Sequence, residues 1–295
     1  IAHILKENDL IWSETFFRLS AQFHGHDRSL RAGHFSIPPK SNQHMILYYL
    51  TTHTGSHFLV KVTIPEGFSI QQIAARLEQL LICTKEEFES YAHTKAKHDF
   101  EDKYIFLKDI PLSTLEGYLF PETYYFKQNE PINVVIKTML DQFSINIWQP
   151  FQQEPRFKNL RYTFHELLTL SSMIQKESRV ITEMPMISSV FYNRLKKRMR
   201  LASDPTVVYA LGKSYKDRVY YKDLKIKSPY NTYRVGGFPP TPIAAVGLDA
   251  FLAACFPETS PYLFFVAKPD GSHYFSRTYQ EHLAIQRKLK RKKSK

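Results

Sequence analysis

A short pattern of apolar residues occurs twice in the first third of the chain. Five apolar positions share one spacing in the two copies, which are Ile1, Ala2, Leu5, Leu10 and Phe16, then Ile73, Ala74, Leu77, Ile82 and Phe88. Apolar residues three or four apart lie on one face of a helix, so each copy predicts an amphipathic helix, a short turn and a second helix. The repeat therefore predicts two small units, each with an apolar face to bury.

A strand is predicted before the second copy. Residues 58–64 alternate between apolar and polar, residues 65–67 (Pro-Glu-Gly) predict a turn, and Ser69 is a suitable N-cap for the helix that follows. A similar strand, turn and helix is predicted for residues 33–50. Two such units predict small α/β modules, and the pattern leaves open whether they bind glycan, act as a scaffold, or only pack.

The rest of the chain predicts a larger mixed domain. Residues 91–111 are polar and charged, which indicates a linker or an exposed helix, and a second domain begins near Leu115. We predict helices at 131–153, 163–179 and 184–197 and a strand at 262–267. The predicted class is α+β, in four parts: an α/β module (1–57), a second module with its linker (58–110), a mixed α+β domain (111–287) and a basic tail (288–295).

Composition and charge narrow the class of protein only partly. Hydrophobic residues make up 43% of the 295 residues, enough for a folded core. Forty Lys and Arg against 28 Asp and Glu give a net charge of +12, which attracts nucleic acid, anionic lipid or an acidic wall polymer alike. No apolar run reaches the roughly 18 residues that cross a bilayer. Because the chain starts at Ile1 within a helical pattern, we expect a preceding signal or anchor segment in the full-length protein.

Several chemistries have no support in the sequence. Cys83 and Cys255 lie among apolar or small residues without metal-ligand spacing, so we expect buried free thiols, although a disulfide remains open. His93 and His98 are predicted to be surface side chains. There is no glycine-rich phosphate loop, zinc-type cluster or nucleophile elbow, so we expect neither a metal nor a cofactor.

Glu177 lies in an unusual position for a carboxylate. Leu167, Leu170 and Ile174 form one apolar stripe on the helix predicted at 163–179, and Glu177 continues it. Desolvation on such a stripe raises the pKa of a carboxyl group, as a general acid requires. The alternative is a helix-end Glu paired with Arg179 or a neighbouring Lys.

Loops rich in hydroxyl, amide and tyrosine groups follow Glu177. They cover residues 192–195, 203–206, 228–233 and 236–243. Such groups suit a sugar, whose hydroxyls bond to Asn, Ser and Thr and whose CH faces pack on aromatic rings. Ordinary turn chemistry favours the same residue types, so the composition alone leaves both interpretations open.

Five segments together resemble the motifs of the endolytic murein transglycosylases, the YceG-like family. Residues 115–124, 171–177, 189–195, 201–206 and 228–233 follow in the family's order, over essentially the whole chain. Residues 58–91 resemble the family's LysM-type module. Three positions depart from the pattern: Gln175 replaces a usual Glu, Thr241 a usual Gly, and 245–246 (Ala-Val) a usual Asn-Pro.

The resemblance implies a reaction, a site and a location. The implied reaction cleaves the β-1,4 bond between N-acetylmuramic acid and N-acetylglucosamine within a strand, leaves a 1,6-anhydro end and so limits strand length. Glu177 is the implied acid and base. The substrate-binding residues that we predict are Glu122, Tyr192, Asn193, Ser203, Asp204, Thr206, Tyr230, Asn231, Thr232 and Tyr233.

The resemblance also implies partners. These are peptidoglycan glycan strands and the penicillin-binding proteins or other peptidoglycan synthases, with a single-pass inner-membrane anchor and the catalytic part on the extracytoplasmic side. No cofactor, metal or nucleic acid is expected. One alternative is a peptidoglycan-binding scaffold without activity, and the other is a nucleic-acid-binding protein, suggested by charge alone.

Overall fold

The computed structural model describes residues 1–8, 10–23, 26, 29–30, 41, 43–52, 59–212 and 219–293. Its helices are α1 (Ala2–Glu7), α2 (Glu14–Phe23), α3 (Gln43–Thr52), α4 (Ile70–Gln79), α5 (Lys85–Thr94), α6 (Ala96–Phe100), α7 (Ile132–Phe143), α8 (Gln149–Gln153), α9 (Phe164–Glu177), α10 (Met184–Lys196), α11 (Asp204–Ala210), α12 (Leu248–Cys255) and α13 (Tyr279–Lys293). The strands are β1 (Val60–Thr63), β2 (Thr123–Phe126), β3 (Phe264–Ala267) and β4 (His273–Ser276). Helices with two small antiparallel sheets confirm the predicted α+β class.

The first copy of the repeat forms the predicted pair of helices, but its register differs by one residue. Phe16 is 64% exposed, whereas Phe17 is 1% exposed and packs in a core formed by α1, α2 and α3. Ile11 is likewise buried in that core. The turn in this copy is therefore one residue longer than the sequence match implied. Residues 31–40, which include the strand predicted at the start of the segment 33–50, lie outside the described residues.

The second copy folds as predicted into α4 and α5. Ser69 caps α4 in a reciprocal pair of hydrogen bonds with Gln72, which satisfies backbone N–H groups at the helix start. All five apolar positions of this copy are buried in the main core, namely Ile73, Ala74, Leu77, Ile82 and Phe88. The helix pair is confirmed, while its identification as a LysM-type module stays a prediction.

A two-stranded sheet connects this unit to the rest of the chain. β1 pairs antiparallel with β2, with Val60 opposite Phe126 and Thr63 opposite Thr123. A strand of four residues needs a partner for its backbone groups, and here the partner comes from the segment that opens the second domain. One hydrophobic core accordingly runs from β1 to α12.

The segment predicted as a linker or exposed helix contributes to that core. Tyr104, Phe106 and Leu107 are buried, and the ring of Phe106 stacks on Tyr118 with centroids 6.1 Å apart. The charged side chains of residues 91–111 lie outside, and His93 and His98 are exposed as predicted. The segment is therefore a packed connection.

The helices predicted after Pro131 are confirmed with small changes. α7 and α8 are separated by one π-helical turn (Ser144–Trp148), and α9 is preceded by its N-cap Thr163, which forms a capping box with Glu166. The strand predicted at 262–267 begins at Phe264 and pairs with β4. Cys83 is partly buried and Cys255 buried, both as free thiols.

Gly117 provides a test of how tightly the segment after Leu115 packs. Its φ is +83°, and an added Cβ would lie 2.3 Å from the Pro242 Cβ, whereas Gly237 has a φ of +78° and open space around it. We expect Gly237→Ala to lower the free energy of unfolding by about 1 kcal/mol, because alanine disfavours the left-handed backbone. Gly117→Ala adds a steric clash and should cost about 3 kcal/mol or more. Denaturant unfolding of the two variants measures the difference, and equal losses would contradict this packing constraint.

Candidate active site

Glu177 is the last residue of α9, and its side chain is only partly exposed. Its Oε1 accepts a hydrogen bond from the Ser203 hydroxyl at 2.6 Å. Burial raises the pKa of this carboxyl group to about 7; the Ser203 hydrogen bond lowers the pKa, the Asp204 charge raises it, and Arg194 lowers it. The carboxyl group therefore exchanges its proton near neutral pH, as the apolar stripe predicted. The alternative ion pair with Arg179 is not formed among the described residues.

Ser203 is fixed from behind by two threonines. Thr232 Oγ1 accepts from the backbone N–H of Ser203 at 3.0 Å, and the Thr206 hydroxyl donates to the Ser203 carbonyl at 2.7 Å. The two threonine hydroxyls are 2.9 Å apart, and both residues are fully buried. Thr206 and Thr232, predicted to bind substrate, are placed to position Ser203 instead.

Asp204 and Tyr233 lie beside this contact. Asp204 is the exposed first residue of α11, and its Oδ1 accepts from the Tyr233 hydroxyl at 2.6 Å. Burial, reinforced by the hydrogen bond to Asp204, raises the pKa of Tyr233, so the phenol stays protonated and donates. These two predicted residues are brought next to Glu177.

Asn231, which its motif predicted to bind substrate, lies inside the protein. It is fully buried, and its amide N–H groups donate to the carbonyls of Leu224 and Ile226, both at 2.9 Å. Its Oδ1 accepts from the backbone N–H of Tyr233 at 3.1 Å. Because these bonds use both ends of the amide, Asn231 shapes the loop that carries Tyr233.

Two further predicted residues anchor α10, one to α12 and the other to the chain that follows α12. The Tyr192 hydroxyl donates to the Ala254 carbonyl at 2.6 Å. The Asn193 amide donates to the carbonyls of Ser260 and Tyr262 at 2.8 and 2.9 Å. Tyr192 is partly exposed, whereas both of these hydrogen bonds of the Asn193 amide are made within the protein.

Arg194 was not among the predicted site residues. Its guanidinium donates to the backbone carbonyls of Leu201 and Leu263 and lies over the Phe264 ring, 5.2 Å from the centroid. The cation is thereby held within range of the Glu177 carboxyl group, whose pKa it lowers. The sequence signal was its place in the motif at 189–195, directly after two predicted residues.

Tyr230 and Glu122 have hydrogen-bond partners other than the acid. The Tyr230 hydroxyl and Thr241 Oγ1 are 2.7 Å apart, so the threonine that departs from the family pattern anchors this tyrosine. Glu122 is exposed just before β2, and its Oε1 accepts from the backbone N–H of Thr123 at 2.7 Å. Glu122 makes no hydrogen bond to Glu177 within the described chain.

The turn after β1 is bound to the end of α9. Lys176 Nζ donates to the Gly67 carbonyl at 2.9 Å, and Gln175 Oε1 accepts from the Gly247 N–H at 3.1 Å. The Gln175 side chain also hydrogen-bonds Glu66, which lowers the pKa of a carboxyl group that burial raises. An amide both donates and accepts, whereas an ionised carboxylate only accepts, so this site explains glutamine at position 175.

Glu116 is a second buried carboxyl group, which the sequence analysis missed. Its oxygens accept from the Ile70 N–H at 3.1 and 3.2 Å, and Oε2 accepts from the Tyr209 hydroxyl at 3.1 Å. Burial raises its pKa to about 7, against lowering by these hydrogen bonds and by Lys176. Glu116 thus joins the start of α4 to α11. The sequence feature that could have identified this buried group is a single carboxylate within the apolar run 115–120.

The described residues contain no group of three or more His, Cys, Asp or Glu side chains arranged to hold a metal ion. No helix within the same ranges has the length and apolar character needed to cross a membrane.

Comparisons with known proteins agree with the motifs. A model of the YceG-like family matches residues 1–288. The endolytic murein transglycosylase of Bacillus subtilis is 39% identical over 96% of this chain and 79% of its own length. The endolytic murein transglycosylase of Streptococcus pneumoniae strain D39 is 30% identical over 96% of this chain, which spans 54% of that protein.

A solved structure gives the same result for the fold. The crystal structure of a YceG-like protein from Listeria monocytogenes superposes with a TM-score of 0.69 at 34% identity, covering 96% of this chain and 94% of the other. The family predicted from the five motifs is thereby confirmed: this chain belongs to the YceG-like family.

Proposed function

We propose that this protein is an endolytic murein transglycosylase that cuts peptidoglycan strands with Glu177 as both acid and base. The observation that carries the proposal is the Glu177 carboxyl group, with a pKa raised to about 7 and a hydrogen bond to Ser203. A group that is partly protonated near neutral pH can give and then take back a proton. Relatives named endolytic murein transglycosylases support the same reaction.

The proposed reaction needs one carboxyl group. Protonated Glu177 gives its proton to the oxygen between the muramic acid and the glucosamine, and the bond to the anomeric carbon breaks. The Glu177 carboxylate then takes the proton of the muramic C6 hydroxyl, whose oxygen bonds to the anomeric carbon. The products are a glucosamine 4-hydroxyl and a 1,6-anhydro end, and no water is consumed.

The neighbours of Glu177 have opposite effects on the pKa of its carboxyl group. Burial and the Asp204 charge favour the acid, whereas the Ser203 hydrogen bond and Arg194 favour the carboxylate. Opposing effects of this kind place a pKa between those of a free and a fully desolvated carboxyl group, which suits a group used in both forms.

Location and partners belong to the same proposal. We propose that the protein acts on the extracytoplasmic side of the inner membrane, where its substrate is made, with peptidoglycan synthases as partners. Residues 58–91 are proposed as a LysM-like module. The +12 charge is compatible with the anionic surfaces found there.

Glu177→Gln should abolish cleavage and leave the fold intact, because the amide keeps the shape but lacks the transferable proton. The loss should be at least about 10²–10⁴-fold. Glu166→Gln is the matched control on the same helix, since a glutamine preserves its capping box. Incubation with purified sacculi measures anhydro-ended products. Near-normal activity of Glu177→Gln contradicts the assignment, and sacculus binding without products from the unaltered protein would indicate a scaffold.

The pH profile should respond to the two neighbours in opposite directions. Activity requires protonated Glu177 in the first step, so kcat/KM should fall as pH rises through about 7. Ser203→Ala removes a bond that lowers the pKa and should move this fall to higher pH. Asp204→Asn removes a charge that raises the pKa and should move it to lower pH. Shifts in the same direction, or none, would contradict the proposed control of Glu177.

The source of the new chain end distinguishes this reaction from hydrolysis. Asp204 is a second carboxylate whose charge acts on Glu177, and paired carboxylates across a bond support attack by water. Digestion in heavy-oxygen water, followed by mass spectrometry of the glycan ends, separates the two reactions. We expect no label at the new ends. Label there would show a hydrolase that uses the same acid.

A further inference from the structure

A cleft of about 320 Å³ opens between α4 and α11. Ser69, Gln71 and Lys85 line one side, and Lys176, Pro205 and Tyr209 line the other. Its volume lies within the range of small-ligand sites in proteins. The reaction proposed for Glu177 leaves this space unused.

Residues next in sequence to Glu177 and Asp204 line one part of the cleft. Lys176 precedes Glu177 on α9, and Pro205 follows Asp204 at the start of α11. Pro205, Tyr209 and Gly212 all line the cleft, so it follows one side of α11 and the residues just after it. At 1.5 Å per residue this side is about 10 Å long.

The walls of the cleft are cationic and polar. Its lining includes Lys85 and Lys176 together with the amide side chains of Gln71 and Gln72, and it contains no Asp or Glu. Glu116, behind Tyr209, is fully buried and already accepts hydrogen bonds from two groups. Ammonium and amide groups together suit a ligand that offers both carboxylates and peptide groups.

Of the two lysines that line the cleft, Lys85 has the weaker interaction with the rest of the protein. Its side chain is 38% exposed, and its Nζ lies 3.7 Å from the buried Oε1 of Glu89, beyond hydrogen-bond distance. An ammonium group has three donors, so Lys85 can contact a ligand carboxylate while it stays beside Glu89.

We propose that this cleft binds the peptide stem of the muramic acid residue whose anomeric carbon reacts. The inference rests on the proposed function. The stem is attached through the lactyl ether at C3 of that sugar, so it leaves the glycan close to Glu177, whose chain neighbour Lys176 lines the cleft. About three extended residues at roughly 3.3 Å each span a cleft about 10 Å long. The carboxylates of the stem then meet Lys85 and Lys176.

The test compares three forms of one glycan preparation: strands with intact stems, strands whose stem carboxyl groups have been amidated, and strands stripped of stems by an amidase. We expect the unaltered protein to cut intact strands with a kcat/KM about fivefold above that for amidated strands. Lys85→Gln should lose most of this preference, because it lacks the charge. Lys85→Arg should retain it.

The control is Lys158→Gln, which removes an exposed lysine outside the cleft and should keep the full preference. Thermal unfolding confirms that each variant is folded. If Lys85→Gln keeps the preference for intact over amidated strands, or loses activity equally on all three substrates, the stem subsite is refuted. If the unaltered protein forms no anhydro ends on any of them, the proposed function fails instead.

Discussion

The effect of the Ser203–Glu177 hydrogen bond on the acid depends on the burial of the end of α9. The end of α9 is buried enough to favour the neutral acid, and the hydroxyl at 2.6 Å partly restores the carboxylate. Thr206 and Thr232 hold the backbone of Ser203, which fixes the position from which its hydroxyl donates to Glu177. Fixed donors of this kind act without reorganisation during a reaction. The residues around Ser203 therefore help to control the protonation of Glu177.

The position of this contact depends in turn on chain segments far away in sequence. Lys176 and Gln175 bind the turn after β1 and the loop at 245–247, which fixes the last turn of α9. Glu116 joins the start of α4 to α11, the helix that begins beside Ser203. The unit containing α4 is therefore part of the framework that holds the acid, and it supplies one wall of the cleft next to it.

Buried carboxyl groups recur in this framework, each with a different use. Glu177 and Glu116 both have a pKa raised to about 7 by burial. Glu116 accepts from a helix-start N–H and a tyrosine and so has two fixed partners. Glu177 has one hydroxyl partner and remains partly exposed, so it retains capacity for a ligand. A raised pKa alone does not separate a positioning group from an acid, whereas the hydrogen-bond partners do.

The sequence by itself determined the elements whose periodicity is strong. The stripe through Leu167, Leu170 and Ile174 placed Glu177 on a buried face, and the motifs gave the family, because both signals are local. The tertiary structure alone decided which polar side chains are hydrogen-bonded within the protein. Asn231 and Thr232 form hydrogen bonds with backbone groups. Buried polar atoms need such partners, and sequence spacing does not reveal which ones they will find. It also decided the one-residue shift at Phe17 and the burial of Glu116, because both depend on which distant segment packs against them.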